Sequence, residues 1–420
     1  MKLRFTTAAN ETFSSFRVRN FRLFFAGQGI SQIGNWLTLV AQALLVLKLT
    51  GNGFDVGLLT ACQFAPVLFL GAWAGLIADR SDKRKLLFIV QVFAMAQSFA
   101  LAALAFMEKP PVLAFFAVAL LGGIGTAFDN PARRAFVVEL VPEDKVNNAV
   151  SLNSALMTSS RIFGPALAGL LISTAGYGWC FLVDGLSYIA VLLGYGLMDS
   201  SKFRSGPRTI RGKGQIREGF RYVRGVPDLW IPLVMMAVIG TLTFNFNVVM
   251  PLFVKKTFHG DDGTFTLLLS VISVGSLIGA LATARRRVVE VRHVVMAAAA
   301  FGVTMTVFAF LPNLATVFPV GLLVGGASIA FMTASTAIVQ VRADPTMRGR
   351  VLALQAIVFL GSTPIGGPLV GAICDLINPR AGVFVGGLAA LVAAGGGWIA
   401  IRRRAETERA NPAATLPAAV

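Results

Sequence analysis

The sequence predicts an all-α membrane protein with twelve transmembrane helices in two pseudo-symmetric six-helix bundles. Three observations lead to this fold class. Hydrophobic residues make up 55% of the 420-residue chain and charged residues only 14%, with a mean hydropathy of +0.73, whereas a soluble domain carries about 25% charged residues. Twelve segments are apolar over the length, about 20 residues, that a helix needs to cross a bilayer. The basic residues concentrate in alternate connections between these segments.

The predicted spans follow one another along the whole chain. They lie at residues 21–47, 55–78, 86–107, 112–131, 148–173, 178–198, 229–252, 264–284, 294–311, 314–336, 351–374 and 381–401. Met1 to Asn20 contains basic residues but no apolar core, so we expect no cleaved signal peptide before the first span.

The net charge of +17 is a topology signal rather than a nucleic-acid footprint. Most of the 37 Lys and Arg residues fall in the N-terminal segment, the tail and every second connection. This asymmetry predicts a multi-pass protein of the plasma (inner) membrane with both termini in the cytoplasm. We expect a bacterial protein. Arg161 alone lies in the interior of a span, since Arg22 is at the very start of the first one. The opposite connections contain only Lys48, Lys109, Lys255, Lys256 and Arg380.

The longest polar stretch, from Asp199 to Asp228, divides the spans into six and six. We therefore predict an N-terminal bundle at 1–200, a basic cytoplasmic linker at 201–228, a C-terminal bundle at 229–405 and a cytoplasmic tail at 406–420. Within the linker, GQIREGFRYVRG is either an amphipathic helix on the inner leaflet or a solvated connection. Two sequence pairs indicate duplication, because GLIADRSDKRK and GALATARRR have nearly the same separation as GPALAGLL and GPLVGAIC.

These features together resemble the major facilitator superfamily. The stretch PARRAFVVELVPEDKVNNAVSLNSALMTSSRIFGPALAG is similar to the branch of enterobactin-exporter-like and macrolide-efflux-like proteins. The resemblance implies two bundles that rock about a central cavity. It also implies that GLIADRSDKRK is a conformational latch at the cytoplasmic side, formed by Gly75, Asp79, Arg80, Lys83 and Arg84. The simpler alternative is a charged turn that only sets topology.

A Gly-Pro motif in span five resembles the one in exporters of the family. Gly164 and Gly169 allow close helix packing, and Pro165 removes a backbone donor and bends the helix. A plain tight helix crossing is the alternative. Many proton-coupled members of the family carry an Arg in span four. This chain has no Arg at that place, where its sequence reads AVALLGG.

Polar side chains in apolar spans are the candidate site residues. Span one carries a row of them on one helix flank, and with residues of spans five and seven we expect them to line a substrate cavity: Gln28, Ser31, Gln32, Asn35, Gln42, Arg161 and Asn245. Interhelical hydrogen bonding is the alternative for the amides. An Arg at mid-span costs roughly 2.5–3.5 kcal/mol on insertion scales. It should therefore either face the cavity and couple to a titrating acid or an anionic substrate, or form a structural ion pair. The available acids are also the proton-coupling candidates, Asp129 and Asp184.

Other classes of function lack sequence support. The chain has no phosphate-binding loop of the G-x-x-x-x-G-K-[ST] type, no metal-like cluster of its three Cys and two His residues, and no set of catalytic groups. We expect a monomeric secondary transporter, not an enzyme, without metal or cofactor, that uses the proton gradient to export amphipathic small molecules such as drugs or siderophores by alternating access. A facilitator or importer of a metabolite or lysolipid is the first alternative, and a non-transporting receptor or enzyme the second.

Overall fold

The computed structural model describes residues 12–204, 215–284 and 290–410. The first range contains six long helices: α1 (Arg19–Thr50), α2 (Gly53–Arg80), α3 (Lys83–Ala105), α4 (Val112–Glu139), α5 (Val146–Thr174) and α6 (Tyr177–Gly196). The second range contains α7 (Gln215–Gly225), α8 (Pro227–Leu242), α9 (Phe246–Leu252), a π-helical turn (Phe253–Thr257) and α10 (Asp262–Ala284). The third contains α11 (Val291–Ala309), α12 (Leu314–Arg342), α13 (Arg348–Leu376) and α14 (Pro379–Ala410).

The predicted all-α membrane architecture is confirmed. Within the described ranges, twelve helical segments are long and apolar enough to cross a membrane. Each predicted span falls on one of them, and α8, α9 and the π-helical turn together form the seventh. Span four is longer than predicted, because α4 passes through Pro131 and continues to Glu139.

Local sequence explains where several helices begin and end. Gly51 follows α1 with φ 69°, a conformation that glycine adopts without strain, and its N–H bonds to the Leu47 carbonyl oxygen at 2.8 Å. The turn lets α2 begin two residues later. Asp82 caps α3 by accepting a hydrogen bond from the Lys85 N–H at 3.1 Å.

The chain divides into two compact units. One contains Met1–Arg211 and Met250–Ser270, and the other contains Gly212–Val249 and Val271–Val420. The segment Met250–Ser270 thus joins the first six helices, although the predicted boundaries place it in the C-terminal bundle. The domain boundaries at 1–200, 201–228, 229–405 and 406–420 remain a prediction. The linker residues 205–214, the basic run 285–287 and the tail residues 411–420 lie outside the described residues.

The two units repeat one pattern of helix pairing. In the first unit α1 packs on α5 and α6, and α3 packs on α4 and α6. In the second unit the helices in the corresponding positions pair in the same way, with α8 on α13 and α14 and α11 on α12 and α14. This repetition agrees with the duplicated sequence pairs.

The predicted amphipathic segment of the linker is the helix α7, which packs within the second unit. Glu218 forms an ion pair with Arg350 at 2.7 Å, and the Tyr222 hydroxyl accepts a hydrogen bond from the Asp344 N–H at 3.0 Å. Val223 is fully buried. One face of α7 is therefore held against the start of α13 and the connection before it.

Candidate functional site

The first unit contains a partly open cavity of about 260 Å³. Residues of α1, α2, α3, α4 and α6 line it, so the cavity is built by the first unit alone. Its wall is rich in carboxamide side chains, which both donate and accept hydrogen bonds: Gln32, Asn35, Gln42, Gln63, Gln91 and Gln97. Such a wall can bind a polar molecule without requiring it to carry a particular charge.

Asp184, on α6, is the most enclosed acid of the cavity wall. It is 1% exposed, and its Oδ2 accepts hydrogen bonds from Thr38 at 2.7 Å and Ser98 at 2.8 Å. Its Oδ1 has no hydrogen-bond partner among the described residues and lies against Gly34 of α1. No ion pair to Asp184 occurs within the described ranges. Asp184 is thus a buried carboxyl group held by hydroxyl groups rather than by a cation.

Asp129, the second candidate acid, is engaged in an ion pair. Its Oδ2 lies 2.9 Å from the Arg133 guanidinium one turn along α4, and its Oδ1 accepts a hydrogen bond from Gln91 at 2.8 Å. Arg133 also donates to Gln28 at 3.2 Å, and Gln28 in turn donates to the Tyr195 hydroxyl at 3.1 Å. The pair is therefore part of a network that crosses four helices.

The polar row of α1 faces this interior. Gln32, Asn35 and Gln42 lie at the cavity wall, whereas Gln28 and Ser31 are buried behind it. Gln42 accepts from Gln63 at 2.9 Å, and Asn35 accepts from the Tyr188 hydroxyl at 3.1 Å. The row therefore joins α1 to its neighbours within one bundle, and part of it also lines the cavity.

Arg161 does not itself line this cavity, although its neighbour Trp36 does. It is exposed on α5, and within the described ranges it forms no ion pair, because Asp129 is paired with Arg133 and Asp184 with hydroxyl groups. Its guanidinium carbon lies 5.9 Å from the centroid of the Trp36 ring. The predicted alternative of an acid partner for Arg161 is not what the structure shows.

Asn245 belongs to the second unit, where span seven is interrupted. One α-helix ends at Leu242 and the next begins at Phe246. The polar residues that alternate in TLTFNFN, residues 241–247, therefore do not share one helical face. The Thr243 hydroxyl donates to the Gly386 carbonyl oxygen at 2.8 Å, and the Asn245 amide donates to the Thr241 carbonyl oxygen at 2.7 Å. Side-chain hydrogen bonds thus satisfy backbone groups at and beside the break.

The predicted latch residues lie at the α2–α3 connection. Gly75 is buried, Asp79 is half-buried and Arg80 is exposed at the end of α2. Lys83 forms an ion pair with Glu139 at 2.7 Å. Arg84 donates to two carbonyl oxygens at the end of α6, those of Tyr195 at 2.7 Å and Gly196 at 3.0 Å. Two of the basic residues therefore tie α3 to α4 and α6.

Both glycines of the Gly-Pro motif make close contacts. A Cβ atom on Gly164 would come within 2.8 Å of the Trp36 ring, and one on Gly169 would overlap the side chain of Thr266. Pro165 lies between them, inside α5. The motif is thus a close packing surface for α1 on one side and for the start of α10 on the other.

The sequence interpretation missed two features. The first is Arg133, which lies beyond the predicted span 112–131 but on α4, where its spacing of four from Asp129 is an ion-pair spacing. The second feature is a cluster at the start of α10, within the first unit. Asp262 accepts a hydrogen bond from the Tyr177 hydroxyl and pairs with Lys255 at 2.5 Å, and the Lys48 ammonium lies 5.2 Å from the Tyr177 ring centroid.

Comparison with known families gives one match over nearly the whole chain. Residues 10–419 match the family described as transmembrane secretion effector. The staphyloferrin A transporter of Staphylococcus aureus is 25% identical over 362 residues, which cover 85% of this chain and 90% of that protein. Macrolide efflux protein A of Streptococcus pyogenes is 25% identical over 377 residues, covering 88% and 92%.

Solved structures show the same fold. A bacterial homolog of the human lysosomal transporter Spinster superposes with a TM-score of 0.70 at 15% identity, over 91% of this chain and 96% of that one. At this identity the likeness concerns the arrangement of helices and not the substrate.

Proposed function

Because this chain belongs to the transmembrane secretion effector family of the major facilitator superfamily, and is therefore a membrane transporter rather than an enzyme, we propose that it exports amphipathic small molecules in exchange for protons. The observation that carries the proposal is Asp184, a buried carboxyl group without a cation at the wall of a carboxamide-lined cavity. Drugs and siderophores are the substrate classes that its relatives suggest.

Asp184 is better suited than Asp129 to carry the exchanged proton. A proton on Asp184 neutralises a buried charge, and no cation loses its partner. A proton on Asp129 would leave the Arg133 guanidinium without its counter-ion at 2.9 Å, and unpaired buried charges are costly. The two acids therefore have different roles: Asp184 exchanges the proton, and Asp129 orders the network around Arg133.

The membrane potential and proton gradient can supply the energy. Moving one charge through 100 mV yields about 2.3 kcal/mol, which supports a substrate gradient of roughly fifty-fold. One proton per substrate thus suffices for useful export, and no nucleotide is needed.

Alternating access requires closures on both sides of the membrane. With both termini in the cytoplasm, the α2–α3 connection with Asp79 lies on the inner side, and the start of α10 lies on the outer side. There Asp262 holds Tyr177 and Lys255 together, and Gly169 contacts Thr266. We assign the inner closure to the Asp79 region and the outer closure to the Asp262 cluster.

Everted membrane vesicles test this function. A proton gradient is generated, a panel of fluorescent drugs and iron chelators is added, and accumulation is followed together with a pH-sensitive dye. The proposal expects accumulation that collapses with the gradient, and proton release from the vesicle when substrate is added. Flux that is indifferent to the gradient would indicate a facilitator, and binding without flux would indicate a receptor.

A further inference from the structure

Helix α5 has two exposed faces of opposite character. Along one face, residues at spacings of four and three are polar and, at 100° per residue, lie within an arc of about 80°: Asn147, Ser151, Ser154, Thr158 and Arg161. Thr158 is partly exposed and the other four are exposed.

The other exposed face is apolar. Phe163 is 59% exposed, Leu167 is 43% exposed and Leu170 is 61% exposed, and all three point roughly opposite to Arg161 around the helix axis. The polar face, in contrast, has to lie away from hydrocarbon, because an Arg at mid-span is costly there.

Arg161 is the only cation among the five residues of the polar face. The three hydroxyl groups donate to carbonyl oxygens of their own helix, at 2.8 Å for Ser151, 2.9 Å for Ser154 and 3.0 Å for Thr158. Their outward lone pairs only accept hydrogen bonds. The guanidinium therefore provides the positive charge of this face, and Asn147, at the other end of the row, is the only other side chain there with N–H donors.

Trp36 fixes the position of that guanidinium. The separation of 5.9 Å between the guanidinium carbon and the ring centroid is within the range of a cation–π contact. Trp36 itself is held by Gly164, which allows α1 and α5 to approach closely at this point. A guanidinium beside an aromatic ring can still present its N–H donors to a planar anion.

We propose that Arg161 binds the carboxylate of an organic anion, with Trp36 as a positioning residue. The inference rests on the proposed export function in one respect, since it names carboxylate-bearing molecules as a substrate class. Arg pairs with carboxylates through two parallel hydrogen bonds, and in this chain no described acid competes for it. The carboxamide cavity then serves the uncharged part of the ligand.

Binding to the purified full-length protein in lipid nanodiscs tests the site without transport. The probes are 2-naphthoate and its neutral counterpart 2-naphthamide, titrated by calorimetry, with empty nanodiscs as the blank. The wild type is expected to bind the anion at least about tenfold more tightly than the amide. Arg161→Gln should reduce this ratio to about one, whereas Arg134→Gln, which removes an exposed Arg of α4, should leave it unchanged.

Two more variants keep the test decisive. Arg161→Lys retains the charge but not the planar donor edge, so the ratio should fall by about threefold or more. Trp36→Leu should weaken binding of 2-naphthoate, because the guanidinium is no longer positioned. A wild-type ratio near one, no detectable binding of 2-naphthoate, or a ratio that survives both Arg161 substitutions overturns the proposal. If the wild type shows the expected binding ratio of 2-naphthoate to 2-naphthamide but no gradient-driven export, the export function is refuted and the Arg161 site is not.

Discussion

Gly34 is the position where one added methyl group should disturb the proposed proton site at Asp184. A Cβ atom there would lie 2.4 Å from Asp184 Oδ1, 2.8 Å from Ser187 Oγ and 3.1 Å from the Asp184 Cα. Side-chain atoms alone cannot relieve this, because the last of these contacts is with backbone. Gly34→Ala therefore has to move α1 away from α6 or turn the Asp184 carboxyl group from its Thr38 and Ser98 donors.

The expected magnitude combines two terms. Overpacking costs about 1–3 kcal/mol, and replacing Gly by Ala inside a helix returns up to about 1 kcal/mol. Gly34→Ala should thus lower the free energy of unfolding by up to about 2 kcal/mol. Gly29→Ala is the matched control on the same helix. Its Cβ would meet only Leu156 Cδ1, at an ordinary 3.5 Å, so this variant should be as stable as the wild type or slightly more stable.

The assay is reversible unfolding of the purified protein in mixed micelles, followed by circular dichroism, with gradient-driven accumulation measured in parallel. Gly34→Ala should be less stable than Gly29→Ala by about 1–3 kcal/mol and should lose most of its gradient-driven accumulation. Equal stability of the two variants, with wild-type transport in both, would refute the close contact between α1 and Asp184.

Three further predictions concern the network and the two closures. Asp79→Asn should leave membrane insertion intact and abolish concentrative efflux, and unchanged dye accumulation in cells would contradict its role as a latch. Asp129→Asn should destabilise the protein by about 3 kcal/mol because Arg133 loses its counter-ion, and the double variant Asp129→Asn with Arg133→Gln should recover most of that loss in the same unfolding assay. Asp262→Asn should open the outer closure and expose the buried Cys180 thiol to a membrane-impermeant maleimide, and labelling as slow as in the wild type would contradict that assignment.

Much of the fold follows from the sequence because membrane spans leave a strong signal. All twelve spans were predicted, since lipid requires long apolar helices and each connection carries turn residues or charge. The end of α4 differs from the prediction, because the apolar span ends at 131 whereas the helix continues through Pro131 to Glu139. Arg133 is therefore part of the site rather than of a loop.

The site was less predictable than the spans. The amide row of α1 has a helical period, so its common direction could be read from the sequence, but its partners could not. Gln63 and Tyr188 reach it from other helices, and only packing determines which side chains meet. The same holds for Arg161, for which the sequence offered two acids, while the structure places Trp36 beside it.

The most direct test of proton exchange at Asp184 separates two kinds of transport in one preparation. Asp184→Asn protein in proteoliposomes is compared with the wild type for uptake driven by an imposed pH gradient and for exchange of labelled against unlabelled substrate without a gradient. The account predicts that the variant loses gradient-driven uptake and retains exchange, because an amide of similar shape can accept the same hydrogen bonds but cannot release a proton. Gradient-driven uptake at the wild-type level in Asp184→Asn would contradict it.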